Sequence, residues 1–464
     1  MIHSEKRRII MKSKERDLVN GPFIPNMFLY AIPVLISGII QLLYNAADMV
    51  VVGRFDGKEA LGAVGCCGTI AGLVTNLVIG LSVGAGVLAA FHFGAKNKHL
   101  LSKTVHTALL VGILGGLLVG CVGFFVAEPM HRLLKTPDGI FPLAVIYLKI
   151  CFVGMPGLVV YNFGASLLRA LGDTKRPLWI LIFTGLVNVG LNLLLVIVFS
   201  LGVIGVAIAT ITSQALSAFM VTLCLMKRND AARFSYQLLR MDKSLFVRML
   251  KIGIPAGIQS CVFSVSNLVI QSAMNTFGEN AVAGNAAAAN IDGFIFIATN
   301  AFYHAALTFV GQLRGAGKPK RIPFAYTTAV CYALIIWAFL YGIVFFFGEN
   351  LLSIYAPGEA QVISYGMTRL NIIALSCCFM ALLDVSQGVL RGLGISFIPM
   401  CISVLGICGI RIAWISFVFP HYKTLKCIYI SYPFSWIVTS VIMGFLAIWH
   451  IKKLVRTTAK TKPI

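Results

Sequence analysis

Leu168-Arg169-Ala170-Leu171-Gly172-Asp173-Thr174-Lys175-Arg176-Pro177 reappears as Leu390-Arg391-Gly392-Leu393-Gly394-Ile395-Ser396-Phe397-Ile398-Pro399, five of ten positions identical at a shift of 222 residues. Each copy closes one long apolar run and precedes another. Two further matches share the spacing: Ile32-Pro33 pairs with Ile254-Pro255 at 222, and Gly94-Ala95 with Gly315-Ala316 at 221. One offset recurring at three places reads as a duplicated chain, so the fold depends on what was duplicated.

Outward from these motifs, runs of 18 or more weakly charged residues fall near 28–53, 60–93, 104–127, 141–168, 177–199 and 201–226, and again near 250–276, 281–312, 322–348, 360–390, 397–419 and 425–451. A helix needs about 20 apolar residues to cross a bilayer. The spacing therefore predicts an all-α membrane protein with twelve transmembrane helices in two pseudo-symmetric six-helix lobes. With 58% apolar and 12% charged residues, and a mean hydropathy of +0.89, the surface suits lipid rather than water. The expected division is 1–27, an N-terminal segment; 28–226, the first lobe; 227–249, a linker rich in basic residues; 250–451, the second lobe; and 452–464, a tail. An even number of spans per half keeps both copies in one orientation, a plan typical of secondary transporters.

The formal charge of +22 would suggest nucleic-acid binding in a soluble protein. Here the placement argues otherwise: 29 Lys and Arg lie on the side shared by both ends and the even-numbered loops, against 6 on the other side. That bias predicts a multi-pass protein of the cell membrane with both termini cytoplasmic, and no nucleic-acid partner. The polar N-terminal 27 residues do not have the form of a cleavable signal peptide. The twelve cysteines, including Cys66-Cys67 and Cys377-Cys378, sit in apolar runs and read as packing residues.

Ionisable groups inside spans are candidates for function, because each costs about 2.5–3.5 kcal/mol at a helix centre on insertion scales. Asp48 shares a helical face with Ser37, Gln41 and Asn45, with Tyr44 beside them, a face suited to a wet cavity. The competing reading places Asp48 merely at the interface. Thr184, Asn188 and Asn192 form a second polar face on the fifth span; their amides could meet Asp48 or simply tie helices together. Ser260, Ser264, Asn267, Gln271 and Asn275 stripe the seventh span, and Asn285, Asp292 and Thr299 the eighth. These suggest a second cavity.

Asp384 and Arg391, seven residues apart on the tenth span, are expected to partner each other. Lys149 and Arg369 are expected to reach back to the membrane interface. His92, His99 and His106 flank basic residues around a loop, a weak metal pattern, so no metal is expected. Gly80-x-x-x-Gly84-x-Gly86 and the glycines from Gly112 to Gly120 suit close helix contact. Pro33 and Pro255 are expected to open the first helix of each half, and Pro156 to interrupt the fourth span. Neither a Walker sequence nor a Gly-x-Ser-x-Gly elbow appears, so an enzyme is not expected.

Ile32-Pro33 with Gln41, Tyr44, Asp48 and Gly53, then Leu168-Arg169-x-Leu-Gly-Asp173-Thr174-x-x-Pro177, then Thr308-Phe309-Val310-Gly311-Gln312 through Gly315-Ala316-Gly317-Lys318, resemble the multidrug and toxic compound extrusion (MATE) family. That family belongs to a larger group that includes lipid-linked oligosaccharide flippases. The resemblance covers nearly the whole chain. It implies a monomeric, cofactor-free antiporter that exports amphipathic, often cationic drug-like compounds in exchange for H⁺ or Na⁺. Asp48 matches the family's first-helix acid, and Asn188 and Asn192 match an Asn and an Asp of the fifth helix, so a second acid is missing and H⁺ is favoured. Where another branch has a Glu on the seventh helix, this chain has Ser264 and Asn267. Asp292 falls where relatives often carry an acid.

The implied cation-coupling set is Asp48, Asn188 and Asn192. The cavity set is Gln41, Tyr44, Asn45, Thr184, Asn267, Gln271 and Asp292. The structural or gating set is Pro33, Arg169, Gly172, Gln312, Asp384, Arg391 and Gly394. The competing function is a flippase for a lipid-linked sugar or cell-wall precursor, for which only Lys149, Arg369 and Arg411 could hold pyrophosphate.

Overall fold

The computed structural model describes residues 17–133 and 136–460. The basic residues expected in the N-terminal segment at positions 6–16, and the last four of the tail, lie outside the described residues. Eleven helices among the described residues are long and apolar enough to cross a membrane, and one further helix pair does so together across a 47° bend. In chain order they are α1 (Phe23–Phe55), α2 (Gly57–Gly94), α3 (Lys98–Leu133), the bent pair α4 (Phe141–Val153) and α5 (Met155–Ala170), α6 (Lys175–Val198) and α7 (Gly202–Met226). There follow α8 (Lys243–Met274), α9 (Glu279–Gly315), α10 (Ile322–Tyr355), α11 (Ala360–Gly392), α12 (Phe397–Val418) and α13 (Leu425–Lys460).

The bend between α4 and α5 lies at Gly154 and Pro156. A proline lacks the N–H that would continue the helical ladder, and its ring clashes with the preceding turn. Pro33 and Pro255 are different: both lie inside helices, α1 and α8, rather than opening them. These two helices start at Phe23 and Lys243, earlier than the apolar runs near 28 and 250.

Among the described residues, 36–133 and 136–250 form one compact unit, and 23–35 with 251–460 the other. Helix α1 thus contributes to both, and Pro33 lies two residues before the division. In the second unit Tyr30 Oη meets Thr308 Oγ1 at 2.8 Å, Tyr332 donates to the Ile24 carbonyl at 3.2 Å, and the Arg321 guanidinium stacks 4.4 Å from the Phe23 ring.

The duplicated Leu-Arg-x-Leu-Gly motif is a helix stop. Gly172 (φ 88°) and Gly394 (φ 77°) adopt the left-handed conformation that glycine tolerates. The Gly172 N–H donates to the Arg169 carbonyl and that of Asp173 to Leu168, while Gly394 donates to Arg391 and Ile395 to Leu390. These paired bonds cap the last carbonyls of α5 and α11. The same stop ends α9 at Gly317 (φ 65°) and α2 at Lys96 (φ 53°), where a side chain occupies the glycine position. Gln312 is buried in the last turns of α9, its carbonyl accepting from Ala316.

Small residues set the helix spacing within each unit. A methyl group at Gly116 would come within 2.6 Å of the Pro156 backbone, and one at Gly388 within 2.5 Å of the Tyr303 carbonyl, so α3 against α5 and α9 against α11 approach to backbone contact.

His92, His99 and His106 do not share a loop. Only residues 95–97 separate α2 from α3, and His106 is buried inside α3. Its Nε2 accepts the Ser235 N–H at 3.1 Å, while Thr107 Oγ1 accepts the Asp242 N–H at 3.1 Å and Lys103 pairs with Asp242 at 3.3 Å. The segment between α7 and α8 is therefore fastened to α3.

Candidate functional site

The first unit contains a cavity of about 630 Å³, walled by α1, α2, α4, α5, α6 and α7. The 3.6-residue period places Gln41, Tyr44, Asn45 and Asp48 of α1 on its wall, opposite Thr184 and Asn188 of α6. Asp48 is the one acid among the described lining residues, and no Lys, Arg or His joins it. Ser37, one turn earlier, is buried away from the wall.

Asn192 Nδ2 donates to Asp48 Oδ1 at 2.5 Å, and Thr210 Oγ1 donates to Asp48 Oδ2 at 3.3 Å. The Asn192 amide also reaches Asn188 Oδ1 at 3.3 Å, while its own Oδ1 is buried without a donor. Asn188 extends the chain to Ser213 at 3.5 Å. Thr184 receives the Ser217 hydroxyl at 2.9 Å, and Tyr44 donates to the Leu181 carbonyl. The candidate coupling residues Asp48, Asn188 and Asn192 thus form one hydrogen-bonded group. Asp48 is held by neutral partners alone among the described residues.

Thr210 and Ser213 on α7 complete this group, and sequence reasoning missed them. Their signal was the hydroxyl stripe Thr210, Ser213, Ser217, at helical three- and four-residue steps.

The second unit contains a cavity of about 380 Å³ lined in part by Asn267, Gln271, Asn285, Arg369, Asp384 and Arg411. Asn267 and Gln271 stand on the wall as expected. Ser260 and Ser264 instead donate back to carbonyls one turn earlier, a frequent fate of helical hydroxyls. Asp292 corrects its assignment to the cavity wall: it is fully buried behind Arg369, whose Nε donates to Asp292 Oδ2 at 3.0 Å. Arg369 also gives Nη1 to Asn285 Oδ1 at 2.7 Å.

Arg369 therefore does not extend to the interface. It is 7% exposed, because α9 presents a carboxylate across the contact and pairing outweighs the reach to water. Lys149 stays half-buried, 4.0 Å from Glu128 and 5.6 Å from the Phe124 ring.

Asp384 and Arg391 interact through charge without a direct hydrogen bond among the described residues. Arg391 gives Nη1 to Tyr303 at 2.6 Å and Nη2 to Gln259 at 2.8 Å, and Gln259 in turn accepts from Gln387. Seven residues are two helical turns, about 10 Å along the axis, so Arg391 finds acceptors on neighbouring helices before it reaches Asp384. Asp384 keeps one oxygen buried without a donor, and the Asn300 side chain reaches its carboxylate. Arg169 lies in the last turn of α5 beside the Gly172 stop.

The sequence pattern of the MatE family matches residues 33–194 and again 255–415. The two matches begin 222 residues apart, the shift of the duplicated motifs. A protein of Bacillus subtilis (strain 168) described as "Probable multidrug resistance protein YoeA" is 27% identical over 93% of this chain and 95% of its own length. A second from that organism, "Probable multidrug resistance protein YpnP", is 29% identical over 82% of this chain and 85% of its own. Among solved structures, "Outward-facing conformation of a multidrug resistance MATE family transporter of the MOP superfamily" superposes with a TM-score of 0.88 at 20% identity, over 95% of this chain and 99% of that one.

Proposed function

The chain belongs to the MatE family, and from that premise we propose that it is a secondary active multidrug exporter of the cell membrane, moving amphipathic, often cationic organic compounds outward in exchange for H⁺ or Na⁺. The observation that carries this reading is Asp48, a carboxylate on the wall of a large, otherwise uncharged cavity, bound only by neutral amide and hydroxyl donors. The basic residues of the even-numbered loops support cytoplasmic termini.

An ionised Asp48 attracts a cationic substrate. A proton or Na⁺ arriving at Asp48 cancels that attraction and weakens the charge-assisted bonds from Asn192 and Thr210, which frees α1 to change shape and expel the substrate. Exchange requires that ion and substrate differ in affinity between the two states of the transporter, because a ligand with equal affinity for both shifts nothing. With one carboxylate in the group, H⁺ is the favoured ion; the buried Asn192 Oδ1 is the oxygen that Na⁺ would use.

The test is efflux of an organic cation from proteoliposomes with pH and Na⁺ gradients imposed separately. Wild type should respond to the pH gradient, and Asp48→Asn should not transport. Full, gradient-dependent efflux by Asp48→Asn would falsify the mechanism. The flippase reading rests on Arg369 and Arg411 at the second cavity, and Arg369 is already neutralised by Asp292; complementation of a flippase defect tests it.

A further inference from the structure

Arg411 of α12 is 5% exposed, yet it has no carboxylate partner among the described residues. Its Nε donates to Ser435 Oγ at 3.1 Å, its Cζ lies 3.9 Å from the Tyr432 ring centroid and 5.3 Å from that of Trp436, and its Nη2 is buried with no acceptor. A guanidinium carries five N–H donors and keeps its charge, and an unpaired charge inside a membrane protein is among the most costly groups to bury. Arg369 next door shows the ordinary remedy, an ion pair with Asp292. The aromatic faces beside Arg411 offset part of the cost, but they accept nothing in the guanidinium plane, where Nη2 points.

Arg411 lines the cavity of about 380 Å³, together with Phe263, Phe296, Tyr432 and Trp436 and the amides of Asn267 and Gln271. Tyr432 is shared, its ring centroid lying 5.8 Å from the Arg369 guanidinium as well. Asp384, the one acid among the described lining residues, is fifteen residues along α11 from Arg369, roughly 22 Å at 1.5 Å per residue. One end of the cavity is therefore cationic and aromatic, and the acid stands at the other.

The geometry points to an anion-binding site in the second lobe: the cavity takes a ring-bearing organic anion whose carboxylate or phosphate pairs with the Arg411 guanidinium on the wall while its ring lies among Phe263, Phe296 and Trp436. The site goes beyond export of cations and stands independently of it, since Asp48 belongs to the cavity of the other lobe. A phospholipid headgroup offers the same phosphate chemistry, so the experiment separates the two sources.

Full-length protein is placed in nanodiscs of phosphatidylcholine, and binding of fluorescein, a xanthene dye that bears a carboxylate, is followed by anisotropy. Saturable binding is expected for wild type, with affinity about tenfold to a hundredfold weaker in Arg411→Gln, the range that loss of a charge-assisted hydrogen bond implies. Arg411→Lys, which keeps the charge and loses the planar fork, should fall between, and it carries the test if Arg411→Gln does not yield monodisperse protein.

Phosphatidylglycerol added to the discs identifies the occupant: unchanged fluorescein binding supports a soluble anion, and Arg411-dependent displacement supports a lipid phosphate at the same site. Absence of binding to wild type, or binding equally strong in the Arg411 variants, overturns the site. Organic-cation efflux by wild type is measured in parallel, so failure of the exporter reading shows there and leaves the fluorescein result standing.

Discussion

Asp48 and Asp292 are both acids within apolar helices, and they are held by opposite means. Asp48 has an amide and a hydroxyl for partners and faces a large cavity. Asp292 has a guanidinium and lies sealed behind it. A carboxylate held by neutral donors can gain a proton or a cation without stranding a charge. One locked to an arginine cannot, because neutralising it leaves the arginine buried alone. Asp48 is thus placed where its charge can change, and Asp292 where it cannot.

The comparison breaks first on transport. Asp48→Asn is expected to reduce gradient-driven efflux by at least about a hundredfold, since under the proposed exchange the first cavity loses the one acid among its described lining residues, while its melting temperature in detergent stays near that of wild type. Asp292→Asn should do the reverse and destabilise the protein by about 3–5 kcal/mol, the cost of leaving a buried charge unpaired. Thermal unfolding followed by fluorescence-detected size exclusion measures this, and Asp292→Asn combined with Arg369→Met should recover most of the loss. A single variant as mild as Asp48→Asn would show that the ion pair is not what holds α9 to α11 there.

Thr210→Val sharpens the contrast. It removes one donor to Asp48, worth about 1.5–3 kcal/mol for a bond to a charged group at most. The half-saturating proton or Na⁺ concentration for efflux should shift by roughly tenfold, while maximal transport is retained. The smallest effect concerns the repeats themselves. Lys96 is left-handed where the second half has Gly317, so Lys96→Gly should stabilise by about 1 kcal/mol, a rise of about 1 °C in melting temperature for a chain of this length. Gly317→Lys should cost a similar amount.

Much of the scaffold was legible because hydrophobic length and loop charge are properties of single segments. The face of α1 bearing Gln41, Asn45 and Asp48 was legible for the same reason: a helical period needs no knowledge of neighbours. What lay across the contact was not. Thr210 escaped notice because helical hydroxyls are ordinary in an apolar span, even at the stepped spacing it shares with Ser213 and Ser217. Arg369 was misjudged because its depth in the sequence says nothing of the carboxylate on α9 opposite it. The spacing of Asp384 and Arg391 suggested a pair, but Tyr303 and Gln259 lie nearer the guanidinium in space while being 88 and 132 residues away in sequence.

The division of α1 bears on how the chain is made. Its first thirteen residues belong with the second unit, and Tyr30 meets a partner, Thr308, synthesised 278 residues later. At about 5–20 residues per second, the start of the first helix waits on the order of tens of seconds for the surface it will cover. During that interval the nascent chain exposes an apolar half-helix to lipid or to an insertion factor. A ribosome stalled between α1 and α9 would therefore leave a first unit able to pack and a helix end with nowhere to go, a state that proteases of the membrane could recognise.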